Sequence, residues 1–372
     1  MLLAGPRQVG KTTSAKEWLG IRNGTYLNWD VAEDRAMILG KSFISTGGPS
    51  TILLDEIHKY PRWRSYLKGL FDKEGARLHV VVTGSARLDI YRKGGDSLFG
   101  RYELLRMHPL SIGEVTHGTV PPPPSDWLSP GIHHGISENW ERLLRFGGFP
   151  EPFVERDPLQ HQRWSTRRRD LLIREDLRDL SEIKLIELVE HLYLLLPARV
   201  GSPLSINSLK EELQVAFDSV SSWISTLERL YICFRISPYH RKIARSLRKE
   251  QKLYLWDWSQ LSDPAARFEN MVACHLLKSV HAWNDIGHGE FGLNYWRNKE
   301  KEEVDFLVTQ AGKPVVLFEC KLSDVNVARP LADLSAELGG IPAIQLVATP
   351  HVDFRTQALR VVTARDYLAN LV

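Results

Sequence analysis

The sequence predicts an α/β chain whose first third is a mainly parallel sheet wrapped in helices. Three observations predict it. Short apolar runs alternate with helical stretches from Met1 to about residue 115. Two of those runs end in residues suited to phosphate and metal, Gly5–Thr12 and Asp55-Glu56. A third group, Asp305, Glu319 and Lys321, stands on two neighbouring apolar runs late in the chain. Strands alternating with helices make parallel sheets, because a parallel pair needs a long crossover between its members.

The first run, Met1-Leu2-Leu3-Ala4, leads into Gly5-Pro6-Arg7-Gln8-Val9-Gly10-Lys11-Thr12. This segment fits G-x-x-x-x-G-K-[ST] at every fixed position. Glycines let the backbone wrap a phosphate chain with its N–H groups turned inward. Lys11 is placed to reach the β- and γ-phosphates, and the Thr12 hydroxyl to ligate Mg²⁺. Thr13 continues into a helix through Leu19. Gly5, Pro6, Arg7, Gln8, Val9, Gly10, Lys11, Thr12 and Thr13 are therefore the expected nucleotide-binding residues.

Thr51-Ile52-Leu53-Leu54-Asp55-Glu56 reads as a buried strand ending in two acids. The pair separates two jobs. Asp55 holds Mg²⁺, directly or through water, and Glu56 polarises the attacking water. His79–Ser85 is a further buried strand, expected between the other two, with Thr83 or Ser85 orienting water against a γ-phosphate. An ordinary strand exit explains the same residues equally well. Arg87 and Arg101 are candidates for a finger that reaches a neighbouring subunit's phosphates; Arg101, in Phe99-Gly100-Arg101, is the better one. A plain surface arginine is the alternative. The catalytic expectations are thus Lys11, Glu56, Ser85 and Arg101.

A length of 372 residues allows two or three domains. A net charge of +3 does not announce nucleic acid by itself. Cys233, Cys274 and Cys320 are scattered without metal-ligand spacing and read as reduced thiols in a cytoplasm. No run reaches the length of a membrane span and the start shows no signal-peptide pattern, so a cytoplasmic protein without a membrane partner is expected.

The expected divisions are 1–115 for the sheet domain, 116–135 for a linker around Pro121-Pro122-Pro123-Pro124, and 136–186 for a helical lid. A winged helix, 187–258, and a last α/β domain, 259–372, complete them. In the lid, Asn139–Phe146 stops at Gly147-Gly148-Phe149-Pro150. Leu159–Asp179 is long and charged, either a solvated face laced with ion pairs or the source of a second arginine for ATP. Leu188–Leu196, a helix capped by Ser205 or Asn207, and the serine-rich Phe217–Leu227 are the helices of the winged region. Tyr231–Tyr239 and Lys252–Trp256 then pair around a tip bearing His240, Arg241, Lys242, Arg245, Arg248 and Lys249. Cations on such a wing neutralise phosphates, which makes DNA the expected partner; packing against protein is the alternative.

In the last domain Glu269 opens a helix over Phe268–Val280. Val304–Val308 and Val315–Lys321 are strands, and a helix over 327–338 and a strand over 343–347 complete an α-β-β-β-α-β order. Glu319 and Lys321 share a strand face by the period of two, next to Asp305. Carboxylates converging across adjacent strands can bind Mg²⁺, and a lysine beside them can position water. Asp305 and Glu319, with Glu269 and Lys321 nearby, form a candidate second metal site. A fold kept as a structural or DNA-binding platform is the alternative.

With these residues in place the chain resembles, over nearly its whole length, a prokaryotic (archaeal and bacterial) family of AAA-type P-loop ATPases. Gly5–Thr12, Leu54–Ile57, Thr83–Ser85, Phe99-Gly100-Arg101, Gly147-Gly148-Phe149-Pro150, Lys252–Asp257, Phe268-Glu269-Asn270 and Glu303–Lys321 carry the resemblance. It implies a P-loop NTPase sheet domain, a helical and winged-helix region, and a C-terminal domain of the PD-(D/E)xK restriction-endonuclease-like class. It also implies binding and hydrolysis of ATP with Mg²⁺, and association with DNA. Relatives carry residues before the P-loop strand, often a helix that helps hold adenine. This chain starts inside that strand at Met1, so the true start is expected upstream or the protein is truncated. An ATPase acting on DNA is the expected function. An ATP-coupled DNA endonuclease and a slow nucleotide-controlled switch with a DNA or protein partner are the alternatives. A homo-oligomer follows if Arg101 acts between subunits.

Overall fold

The computed structural model describes residues 1–44, 50–84, 100–130, 133–177, 186–240 and 250–372. The chain divides into two compact units, Met1–His108 with Arg229–Tyr231, and Pro109–Glu228 with Ile232–Val372.

In the first unit β1 (Leu2–Ala4), β2 (Thr25–Asn28), β3 (Ser50–Asp55), β4 (Leu78–Thr83) and β5 (Leu104–Arg106) form one sheet in the order β2-β3-β4-β1-β5. Every neighbouring pair is parallel, and β4 lies between β1 and β3 as the sequence predicts. Successive side chains go to opposite faces. Leu2, Ala4, Ile52, Leu54 and Val82 enter one core with Trp63, Leu67 and Leu70 of the helix Trp63–Glu74. Leu3, Leu53 and Val81 enter the other with Ala15 and Leu19 of the helix Lys11–Ile21. A strand covered on both faces reads as an unbroken apolar run, which is why Ile52-Leu53-Leu54 shows no alternation. Each such leucine contributes about 1.5–3 kcal/mol of burial. The parallel arrangement brings the exits of β1, β3 and β4 to one edge of the sheet, where open α/β sheets bind their ligands.

The second unit is built on an eight-stranded sheet. Its strands are β6 (Cys233–Pro238), β7 (Lys252–Leu255), β8 (Phe291–Arg297), β9 (Glu303–Gln310), β10 (Lys313–Lys321), β11 (Ala343–Val347), β12 (Asp353–Arg355) and β13 (Leu359–Thr363). The order is β12-β13-β11-β10-β9-β8-β6-β7. Thus the β6–β7 hairpin, expected as the wing of a separate domain, is one edge of the C-terminal sheet. It joins through parallel pairing of Ser237 with Asn294 and Pro238 with Tyr295. The physical reason lies in β6 itself. Cys233, Phe234 and Ile236 are all buried, so the strand needs cover on both faces and a partner on its open side.

The helix expected over Phe268–Val280 runs from Pro264 to Asp285. Asp263 caps it, accepting from Ala266 N–H, and Pro264 takes the first position, where its missing N–H costs nothing. Glu269 therefore stands in the second turn and does not open the helix. Ser205, and not Asn207, caps the helix Ile206–Leu213. The helix expected from Leu159 starts at Pro158 under an Asp157 cap and passes at Asp170 into wider π-type turns over Leu171–Asp176. Its expected end at Asp179 lies outside the described residues. Among the described residues no helix is long and apolar enough to cross a membrane.

A buried histidine fastens the start of this unit to its central helix. Ile112 N–H donates to His275 Nε2 at 3.0 Å, and His275 Nδ1 donates to Met271 O at 2.7 Å. The ring must be neutral to do both, with its proton on Nδ1. Burial pushes its pKa down from 6.5 to about 4. Between those values the unfolded chain binds a proton that the folded one refuses. The contribution is therefore complete above pH 6.5 and lost as pH falls towards 4. The Tm advantage of wild type over His275→Gln is expected to shrink from pH 7 to pH 4 in thermal unfolding; a constant difference would contradict it.

Candidate nucleotide-binding site

The loop after β1 is shaped by three residues at positive φ: Gly5 at 152°, Gln8 at 61° and Gly10 at 98°. A Cβ on Gly5 would lie 2.2 Å from Met107 O, so only glycine fits there. Gly10 turns the chain into the helix Lys11–Ile21, whose first N–H groups have no partner within the helix. Lys11, only 8% exposed, folds back over this loop and donates to Gly5 O at 3.0 Å and Pro6 O at 2.5 Å.

Asp55 ends β3 in register with Thr83 of β4 and Asn28 of β2. Its carboxylate accepts from Thr12 Oγ1 at 3.2 Å, Tyr26 OH at 3.0 Å and Thr83 Oγ1 at 2.5 Å. Thr12 and Asp55, expected to share a metal, are brought together. Thr83, one of the two residues considered for orienting water, gives its hydroxyl to Asp55. Sequence reasoning missed Tyr26, whose role no local motif announces. Burial, and then the neighbouring Asp55 charge, push its phenol up to about 12, so it stays a donor.

Glu56 follows Asp55 out of the strand, and its backbone N–H donates to Thr83 O. It sits at φ 56° and begins the short turn Ile57–Lys59. Its Oε2 lies 3.5 Å from His58 Nε2 and 3.7 Å from Lys59 Nζ, and Lys59 is also 2.5 Å from Asp30. Among the described residues this buried Oε2 accepts no hydrogen bond. Burial raises the Glu56 pKa, with Lys59 opposing. A half-buried carboxylate with a raised pKa and an oxygen free to accept is what a general base requires.

Arg101 stands just before β5, which runs parallel to β1. It therefore lies at the opposite end of the sheet from the P-loop, with its Nε 3.1 Å from Asp72. Ser85 and Arg87 lie outside the described residues.

The acids of the second unit also meet. Lys321 Nζ donates to Glu319 Oε1 at 2.7 Å, Asp305 N–H to Glu319 Oε2 at 3.4 Å, and Cys320 N–H to Asp305 Oδ2 at 2.9 Å. Tyr254 OH donates to Glu269 at 2.7 Å. Two residues that the sequence did not single out for this site, Lys252 and Glu303, complete the group. Among the described residues no three or more His, Cys, Asp or Glu are placed to hold a metal ion.

Residues 1–116 match the family model described as an AAA domain. Residues 137–263 and 265–362 match two models described as domains of unknown function, DUF8612 and DUF4143. Uncharacterized proteins of Mycobacterium bovis and Mycobacterium tuberculosis are each 22% identical, over 95% of this chain and 82% of their own. An uncharacterized Haemophilus influenzae protein is 20% identical over 83% of this chain and 79% of its own. Among solved structures, a Thermotoga maritima RuvB variant is similar at 17% identity and a TM-score of 0.30, over 63% of this chain and 80% of its own. That likeness is too slight to carry anything over. The first 116 residues, with their parallel sheet and glycine-shaped loop, are thus similar to an AAA domain, and the two segments that follow match families whose descriptions name no function.

Proposed function

We propose that this chain binds ATP with Mg²⁺, hydrolyses it, and uses the cycle to act on DNA. The observation that carries the ATPase reading is the meeting of Thr12 and Asp55 beside a loop whose Gly5 tolerates no side chain. The residues fit the nucleotide. The glycine-shaped loop and the Lys11 ammonium suit a triphosphate, and a hydroxyl next to a carboxylate suits Mg²⁺. Bound there, Mg²⁺ would offset charge on the β- and γ-phosphates. Lys11 exchanges the loop carbonyls for phosphate oxygens. Tyr26 and Thr83 hold the Asp55 carboxylate in one orientation. Glu56 takes the proton of the attacking water. The DNA part rests on the basic residues of the hairpin tip, of which 241–249 lie outside the described residues, and the subunit-crossing role of Arg101 rests on its sequence context.

The test is ATP turnover with Mg²⁺ by wild type and Lys11→Ala. Wild type is expected to release phosphate, and the variant to lose both nucleotide affinity and turnover. Equal turnover by the two would remove the P-loop reading.

A further inference from the structure

The acids expected to hold a second metal already surround a cation supplied by the chain. Lys252, the first residue of β7, is fully buried. Its Nζ lies 2.5 Å from Glu303 Oε1, 3.6 Å from Glu269 Oε1 and 3.6 Å from Asp305 Oδ1. Glu303 and Asp305 share a face of β9 by the period of two, and Glu269 approaches from the helix Pro264–Asp285. Three carboxylates, two from one strand and one from a helix, thus converge on one ammonium.

The second oxygens of Glu303 and Asp305 are also engaged, and the Glu269 oxygen that faces Lys252 has a second donor. Arg297 Nη1 stands 3.4 Å from Glu303 Oε2, and Cys320 N–H donates to Asp305 Oδ2. Tyr254 OH, two residues along β7 from Lys252, donates to Glu269 Oε1. Glu319, the fourth acid, has Lys321 on it at 2.7 Å. Each of the two expected metal ligands, Asp305 and Glu319, thus faces an ammonium. The next residue of the helix continues the grip on β7: Asn270 donates to Leu255 O at 2.7 Å and accepts from Leu255 N–H at 2.8 Å.

We propose that Lys252 is a built-in cation at the point where Glu269, Glu303 and Asp305 converge, so that this cluster latches the β6–β7 hairpin to the C-terminal domain and takes no divalent metal in the native chain. A divalent ion on the same oxygens would sit within a few ångströms of the ammonium. Their repulsion in a poorly solvated site is far stronger than in water. A fully buried lysine has no solvent path by which to withdraw without opening the hairpin. The arrangement also explains why a lysine is tolerated in the interior at all. A buried charge needs partners, and this one has three.

The experiment is Mn²⁺ binding to the full chain without nucleotide, by calorimetry, for wild type, Asp305→Asn, Lys252→Met and the double variant. The wild-type isotherm is expected to be unchanged by Asp305→Asn. Lys252→Met is expected to gain a site at least about tenfold tighter than any in wild type, and the double variant to lose it. A wild-type site that Asp305→Asn removes would overturn the proposal, as would a folded Lys252→Met without the added site. DNA cleavage with Mn²⁺ by wild type that Asp305→Asn abolishes would overturn it too. If Lys252→Met fails to fold, the comparison of wild type with Asp305→Asn decides alone.

Discussion

Glu56→Gln is expected to lower ATP turnover by about 10²–10⁴-fold while nucleotide affinity stays within a few-fold of wild type. Glutamine keeps the size of the side chain but cannot take a proton. The left-handed backbone at φ 56° holds either residue at similar cost, so the turn Ile57–Lys59 should survive. Asp55 keeps its bonds from Thr12, Tyr26 and Thr83, because Glu56 meets that group through its backbone N–H, which donates to Thr83 O and is unchanged by the substitution. The loss therefore falls on the chemical step and spares binding. Steady-state phosphate release together with equilibrium nucleotide binding separates the two. Undiminished turnover would show that another group activates water. The nearby Lys59 and His58 add a second consideration. They lie against the Glu56 carboxylate at 3.7 and 3.5 Å, so wild-type turnover is itself expected to be slow until those contacts open.

Much of the nucleotide site was legible because it is local. One loop of eight residues carries the proposed phosphate contacts, and one strand end carries both acids. The sheet itself was readable from apolar runs bounded by helices. Tyr26 and the Thr83–Asp55 bond were not readable, since they depend on strand register: Asn28 opposite Asp55, and Asp55 opposite Thr83. Register is decided by packing across the sheet, and periodicity does not name the partner strand. The same limit explains the hairpin. Its two strands were visible from their apolar runs. That β6 joins β8 could not be seen, because the pairing spans the whole intervening helix. Lys252 enters the sequence reading only as the first residue of a strand, and the joined sheet and the helix Pro264–Asp285 bring it among acids. Conversely, Asp305, Glu319 and Lys321 were seen as a set from their spacing. The spacing gave no sign that another strand would place its own charge among them.

Asn270→Ala is expected to destabilise the second unit by about 2–4 kcal/mol, with a fall in Tm of roughly 5–15 °C. Asn270 is fully buried, and its amide does for Leu255 what a neighbouring strand would do. Alanine leaves the Leu255 N–H without its acceptor, at a cost of about 1–3 kcal/mol, and removes packed side-chain volume. The carbonyl fares better, since Cys274 Sγ also donates to Leu255 O at 3.3 Å. Most of the loss should therefore come from the orphaned N–H. Asn270→Asp tests this division. It keeps an acceptor for Leu255 N–H but gives up the donor to Leu255 O, and it adds a buried charge beside Glu269. If thermal unfolding shows a loss below about 1 kcal/mol for Asn270→Ala, water has reached the strand and the grip on β7 is looser than these bonds imply. Combining Asn270→Ala with Cys274→Ala should cost more than the two changes summed. The second substitution removes the donor that the first leaves to Leu255 O, and groups sharing one acceptor do not act independently.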